Sequence, residues 1–362
     1  MAKKTFDEVV LFARTGLNPR NNFKLGNGDN KYITIKNIHD GELVIDDNTD
    51  VVSDEAINLI HKRSQIKKGD ILFCSIGRIG DMYIIENEPE GWDINESVFA
   101  FTLNSDIIYQ KYFYYIFKNQ NTIRLISKNS SGSTFKSIKM NQIKKMVFEL
   151  PPLEEQKKVI NILDNLSLII KNFEKELKKL DELTKARFVE MFGNPIFNEK
   201  GFETKPGSDI FNLSNGKFVP ESKRFEDGIP VYGGNGVSWY TDEVLFENDT
   251  IVVGRVGFQS GNVHLVKGPL WISDNAMYVS NLFDDGFDLR FLYFVMEHID
   301  FTRFQDAGDL RKITQKPFMV MRYIMPPLRM QLDYISFVAQ IDKSKLSSDI
   351  VQRISDMQYN VH

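Results

Sequence analysis

The stretch LPPLEEQ at positions 150–156 returns as MPPLRMQ at 325–331, and this recurrence decides how the chain is built. Pro151 and Pro326 stand 175 residues apart, and the segments that precede them also correspond. GRIG at 77–80 matches GRVG at 254–257, an offset of 177. Each follows a β-branched run, ILFCSI or TIVV, and each precedes an apolar, strand-like stretch and then Trp92 or Trp271. Aromatic-rich helical segments come next, YQKYFYYIF at 109–117 and LRFLYFVMEHI at 289–299, and then a turn with Lys136 or Lys312. A period this long excludes a solenoid, whose units run to roughly 50 residues. Each half is therefore a domain, and duplicated halves tend to keep the twofold contacts of an ancestral dimer.

Each Pro-Pro-Leu opens a helix, because proline at a helix start gives up an amide donor that has no partner there anyway. After Pro152 the chain has no proline or glycine until Gly193 and Pro195. Val159, Leu163, Leu166, Ile170, Phe173, Leu177 and Leu180 alternate steps of three and four, the spacing of a coiled-coil seam. About 40 residues at about 1.5 Å each make a rod of roughly 60 Å. The second copy carries a looser stripe of Ile335, Val338, Ala339, Ile341, Leu346, Ile350, Ile354 and Met357, diluted by Asp342 and Ser347. Either helix could lie alone on its own domain, but the first seam is too long for one small domain to cover.

The expected fold is α/β (α+β) and pseudo-twofold, with similar domains at 1–150 and 196–325. Spacer helices at 151–195 and 326–362 would pair antiparallel as a coiled coil and hold the domains apart in inverted orientation. That arrangement suits an elongated target with local twofold character, and duplex DNA repeats every 34 to 36 Å or about one helical turn.

With 362 residues, 42% hydrophobic and 26% charged, the composition is that of a globular chain. No run approaches the roughly 18 apolar residues of a membrane span, and MAKKTFDEVV lacks the apolar core of a signal peptide. The single cysteine, Cys74, leaves no intrachain disulfide and no thiolate metal cluster, so a cytoplasmic location with no membrane partner is expected. The net charge of −4 argues against indiscriminate binding of polyanions. Residues 1–150 carry 20 basic and 19 acidic side chains and residues 196–325 carry 13 and 18, so any polyanion site must be a local patch.

No G-x-x-x-x-G-K-[ST] loop is present, and His39, His61, His264, His298 and His362 are scattered without metal-ligand spacing. The Pro-Pro pairs differ from the loop with which adenine methyltransferases hold a target amine. Their neighbours Leu150, Leu153, Met325 and Leu328 cannot accept its hydrogen bonds.

At this point LPPLEEQKKVINILD, FVEMFGNP at 188–195 and MPPLRMQLDYISFVAQID at 325–342 carry a family resemblance. With GIPVYGGNGVSWYTD at 228–242 and TIVVGRVGFQSGNVHLV at 250–266, the chain resembles the specificity subunit of a type I restriction-modification system. The resemblance implies two target-recognition domains that read a bipartite, asymmetric sequence in double-stranded DNA. It also implies two methyltransferase subunits and motor-driven restriction/translocase subunits as partners. The chain would be noncatalytic and hold no cofactor, with S-adenosylmethionine, ATP and Mg on the partners.

Phosphates are held by Lys, Arg, hydroxyls or backbone amides, and base edges are read by Arg, Lys, Asn, Gln, Ser or Thr. In RTGLNPRNNFKLGNGDNK at 14–31, Arg14, Arg20 and Lys24 stand among asparagines and glycines, either facing a groove or in a flexible connector. Arg78 and Arg255 sit in the glycine pieces, where each could reach a guanine or pair with a nearby carboxylate such as Asp81. SKNSSGSTFKSIK at 127–139 offers Ser133, Lys136 and Lys139, and its counterpart at 306–316 offers Arg311 and Lys312 but adds Asp306 and Asp309. Both could equally be solvated turns. Lys217 and Asn235, beside Gly233, Gly234 and Gly236, complete the set as donors or as turn formers. Tyr112, Phe113, Tyr115 and Phe294 read as core at helical spacing. A coiled-coil scaffold that never touches DNA, or a stand-alone nuclease, are the other function classes.

Overall fold

The computed structural model describes residues 1–129, 136–283, 285–306 and 311–358, with backbone only for residues 120, 127–129 and 346–358. Two compact units emerge, Met1–Glu174 with the chain from Asp349 onward, and Lys175–Ser348.

The first unit is built on an antiparallel sheet of β1 (Val10–Thr15), β3 (Ile71–Cys74), β4 (Met82–Ile84) and β6 (Val98–Leu103), in the order β1-β6-β3-β4. A smaller sheet runs Val51–Val52, then β2 (Asn30–Ile33), then β5 (Trp92–Ile94), with β2 and β5 parallel. The run ILFC of β3 is apolar at every position because both of its faces are covered. Ile71 and Phe73 enter a cluster with Phe101, Phe113 and Phe148, whereas Leu72 and Cys74 enter another with Ile33, Ile94 and Ala100. Burial pushes the Cys74 thiol up to about 12, so this cysteine is inert packing. Helix α1 (Asp54–Ser64) follows β2, and α2 (Gln110–Lys118) seals the first cluster with fully buried Phe113 and Phe117.

The second unit repeats the plan. Strands β7 (Phe211–Asn215), β10 (Thr250–Gly254), β11 (Val263–Val266) and β13 (Ala276–Leu282) form a sheet in the order β7-β13-β10-β11. Strands β8 (Ile229–Gly233), β9 (Gly236–Thr241) and β12 (Trp271–Ile272) form the small sheet, again with one parallel pair. Helix α4 (Leu289–Glu297) takes the place of α2. One glycine in each unit shows how closely the plans agree. A side chain on Gly16 would lie 1.7 Å from the carbonyl oxygen of Ile94, and one on Gly216 would lie 2.1 Å from that of Ser273. In both, the strand leaving the large sheet passes so near the small sheet that only a hydrogen fits.

The repeated glutamines explain the motif that opened the sequence. Gln156 is fully buried, donates to the carbonyls of Ile107 and Pro151 at 2.8 and 2.9 Å, and accepts from the Tyr109 amide at 3.2 Å. Gln331, equally buried, donates to Gly286 and Pro326 at 2.8 and 2.9 Å and accepts from the Asp288 amide at 3.0 Å. Each motif is a latch between the start of a long helix and the chain that enters α2 or α4.

Those long helices are α3 (Leu153–Phe192) and α5 (Leu328–Gln358). Leu163, Leu166, Ile170, Phe173, Leu177 and Leu180 are half-buried along one stripe. Val159 is exposed and Ile160 is buried in its place, because the first turns pack on the domain rather than along the stripe. Within the second unit, the end of α3 and the start of α5 run antiparallel. Lys345 meets Asp181 at 2.7 Å, Tyr334 donates to the Thr184 carbonyl at 3.2 Å, and Tyr334 packs edge-on to Phe188 and Phe192. Ile335 and Val338 are buried and Ala339 is exposed. The side chains of Leu346, Ile350, Ile354 and Met357 lie outside the described residues.

Candidate nucleic-acid interface

In each unit, two turns predicted as separate features are joined in one ladder. In the first unit Gly77 donates to the Lys136 carbonyl at 3.1 Å and Ile138 donates to that of Ser75 at 2.8 Å. In the second, Gly257 donates to the Arg311 carbonyl at 2.8 Å and Ile313 donates to that of Arg255 at 3.0 Å. Isolated bridges Ile76–Ser137 and Val256–Lys312 complete the match. The glycine turn and the basic turn therefore present one surface.

The ladder also corrects the sequence alignment. Cys74 and Gly254 occupy the same place, each taking up the amide of Gly80 or Gly261, and Ser75 is the counterpart of Arg255. Asp81 closes its turn on the Arg78 carbonyl and Asn262 closes its turn on that of Gln259, so Arg78 corresponds to Gln259. GRIG and GRVG thus coincide as text while standing three positions out of register in space. The recurrence of arginine carries no weight for function, because the two side chains leave different points of the turn. Likewise Lys136 corresponds to Arg311 and not to Lys312.

The environments of the candidate residues differ sharply. Arg14 is committed inside the fold: it meets Asp70, itself fully buried, at 2.7 Å, and donates to Thr102 and to the Gln65 carbonyl. A phosphate or base could reach it only by breaking this network. Arg78 pairs with Asp81 at 3.0 Å and donates to the carbonyls of Ile35 and Ile38, the carboxylate pairing that the sequence left open. Arg20 and Lys24 are exposed on a loop pinned by Tyr32, whose hydroxyl donates to the Leu17 carbonyl at 2.7 Å, and by Gly26 on Val51. Lys136 and Lys139 are exposed, and Ser133 lies outside the described residues.

In the second unit Arg255 is half-buried and donates to the Asp274 carbonyl at 3.2 Å, while Arg311 and Lys312 are exposed on the paired turn. Asp309 lies outside the described residues, and exposed Asp306 donates its amide to the Lys312 carbonyl. Asn235 is exposed at the tip of the β8–β9 hairpin. The tip leans on this surface, since a side chain on Gly234 would meet the Gly254 Cα at 3.1 Å. Lys217 is exposed and its backbone is tied to Ile272 and to the Trp271 indole. Asn235, Arg255, Arg311 and Lys312 are thus brought together. Phe113 is core, and Tyr112, Tyr115 and Phe294 are half-buried.

Two features escaped the sequence reading. The end of α1 and the residues after it expose His61, Lys62, Arg63, Lys67 and Lys68. Cations there complement the helix C-terminus. His61 is fixed by Asp93 at 3.1 Å, and Ser64 and the Ile94 amide also donate to that carboxylate. Burial nevertheless raises the Asp93 pKa, which the three donors oppose. The acid-free run HKRSQIKK at 61–68 is the sequence signal for it. The second feature is Phe258, 76% exposed, with the Arg311 guanidinium 5.2 Å from its ring centre.

The fold is similar to that of a solved type I specificity subunit. The structure of the S subunit from M. genitalium superposes with a TM-score of 0.61 over 99% of this chain and 95% of that one, at 16% identity. Among curated relatives, a putative type I restriction enzyme MjaX specificity subunit of Methanocaldococcus jannaschii is 25% identical over 301 residues, 73% of this chain and 69% of the relative. The MjaIX specificity subunit of the same organism is 29% identical over 204 residues, 56% of this chain and 43% of the relative. The family model for the type I restriction modification DNA specificity domain matches residues 1–183, and the chain belongs to this family. It is a noncatalytic specificity subunit. Among the described residues, no helix is long and apolar enough to cross a membrane.

Proposed function

We propose that residues 1–150 and 196–325 each read one half of a bipartite, asymmetric target in double-stranded DNA. The helices at 151–195 and 326–362 set the gap by pairing antiparallel as a coiled coil about a pseudo-twofold axis. Assembled in the cytoplasm, the chain delivers two adenine-methyltransferase subunits and the restriction/translocase subunits to that target. S-adenosylmethionine, ATP and Mg act on those partners. The single observation that supports this reading best is the joined pair of turns found in both units, which offers exposed Lys136 in one and Arg311 and Lys312 in the other.

Arg20, Lys24, Lys136, Lys139, Lys217, Asn235, Arg255, Arg311 and Lys312 form the proposed reading surface, with Arg78 contributing what its pairing with Asp81 leaves. Arg14 is left out, because its role is internal. The basic end of α1 joins as a phosphate contact of the first domain. Replacing residues 196–325 by the corresponding domain of another specificity subunit tests the division of labour. With the methyltransferase subunits present, adenine methylation should change at one half-site only, and a change at both would overturn independent reading. A scaffold that never touches DNA would give no salt-dependent shift of duplex.

A further inference from the structure

We propose that Phe258 is a wedge, which enters the base stack of the second half-site and unstacks one step there. The inference rests on the DNA-reading role proposed above for residues 196–325.

The first ground is an insertion. Counting along the hydrogen-bonded frames, the first unit spans Cys74 to Gly80 between closing bonds and the second spans Gly254 to Gly261, one residue more. With Gly77 matching Gly257 and Arg78 matching Gln259, the added residue is Phe258 at the tip of the turn. A surface turn gains nothing in folding from a phenyl ring left 76% exposed, since the apolar area stays in water.

The second ground is the surroundings. The Arg311 guanidinium lies over the ring, 5.2 Å from its centre, and the same joined turns and the hairpin tip that leans on them carry Lys312, Arg255 and Asn235. An apolar partner protein would find a poor match in that ring of donors. A nucleic acid satisfies both parts, offering phosphates to the cations and a π-face to the phenyl. The third ground is rigidity. Gly257 donates to the Arg311 carbonyl at 2.8 Å and Ser260 donates to that of Gly257 at 3.1 Å, so the ring is carried on a closed, laddered turn. An apolar side chain inserted from a rigid support lowers the cost of unstacking a step, and the bend it creates brings more protein surface against the duplex.

The first unit offers Arg78 near this point, tied to Asp81. The wedge therefore predicts an asymmetric distortion, confined to the half-site read by residues 196–325.

The test uses the full chain with its methyltransferase subunits and the duplex that carries its methylated target, with 2-aminopurine placed at successive positions of each half-site. The expected result is a fluorescence rise at one step of the second half-site, lost in Phe258→Ala and kept in Phe258→Trp, with affinity about tenfold weaker for the alanine variant. Protection of the first half-site should be unchanged in both variants, and a urea-unfolding transition of the second unit matching that of the unmodified chain shows that they fold. A rise that survives Phe258→Ala, or no rise at any position despite tight binding, overturns the wedge and leaves the reading role standing. Loss of the methyltransferase subunits from the alanine variant, with DNA distortion unaltered, also overturns it. Failure of the unmodified assembly to bind the duplex would sink the reading role itself.

Discussion

The two units solve one structural problem with different chemistry. Where β1, β3 and β6 meet in the first unit, Arg14, Asp70 and Thr102 form a charged, buried network. At the matching positions the second unit has Ser214, Thr250 and Ser280, in which Ser214 donates to Ser280 at 2.8 Å and Thr250 to the Val279 carbonyl at 2.7 Å. The neutral trio does the same job without burying a charge. An ionic network at such a junction is therefore one solution among several, and an arginine in a basic loop of sequence need not face a ligand.

The largest effect expected from breaking the comparison is steric. Gly16→Val should unfold the first unit and Gly216→Val the second, each at a cost above about 4 kcal/mol, because no rotamer escapes the backbone oxygen. Each variant should abolish protection of one half-site and leave the other, as read by footprinting. Next comes the charged junction. Asp70→Ala strands Arg14 and should cost about 3 to 5 kcal/mol in urea unfolding, whereas Thr250→Val in the neutral twin should cost about 1 kcal/mol.

The latches should behave alike. Gln156→Leu and Gln331→Leu each leave two carbonyls and one amide without their partner, and each should cost about 2 to 3 kcal/mol. A large inequality between them would show that the units depend on their helices differently. Smaller again is the effect of replacing Lys62, Arg63, Lys67 and Lys68 by Gln. Stability should hold, and the salt dependence of DNA binding should flatten by about one in slope for each phosphate that is no longer neutralised. The smallest concerns Glu8, which the Thr5 amide and Lys4 hold down to about 2 from an ordinary 4.5. Its contribution is present above the ordinary value and fades as pH falls toward 2, and Glu8→Gln should remove that part of the acid sensitivity of unfolding.

The duplication and the long first helix were legible because proline pairs, a buried glutamine and a 3-4 apolar rhythm are constrained by backbone chemistry wherever they occur. The match of GRIG to GRVG misled because a glycine-arginine pattern of four residues recurs at different points of one glycine-containing turn, and only the ladder to the following turn fixes which residue corresponds to which. Arg14 looked like a ligand contact since its carboxylate partner lies 56 residues away, beyond any local pattern. Val159 fits the seam on period alone, although the first turns of that helix answer to the domain below them. The basic end of α1 needed the structure, which turns HKR and KK to solvent together around a left-handed Gln65.

The glutamine latch has a consequence for how such proteins change. All six atoms that Gln156 and Gln331 engage belong to the main chain. The lock therefore ignores the identity of the amino acids it grips and responds only to the path of the polypeptide. A foreign domain grafted at Pro151 or Pro326 would be accepted whatever its surface, provided it threads the same point, so under the proposed division of reading, new pairings of target preference can arise by recombination without any compensating change in the helix that follows.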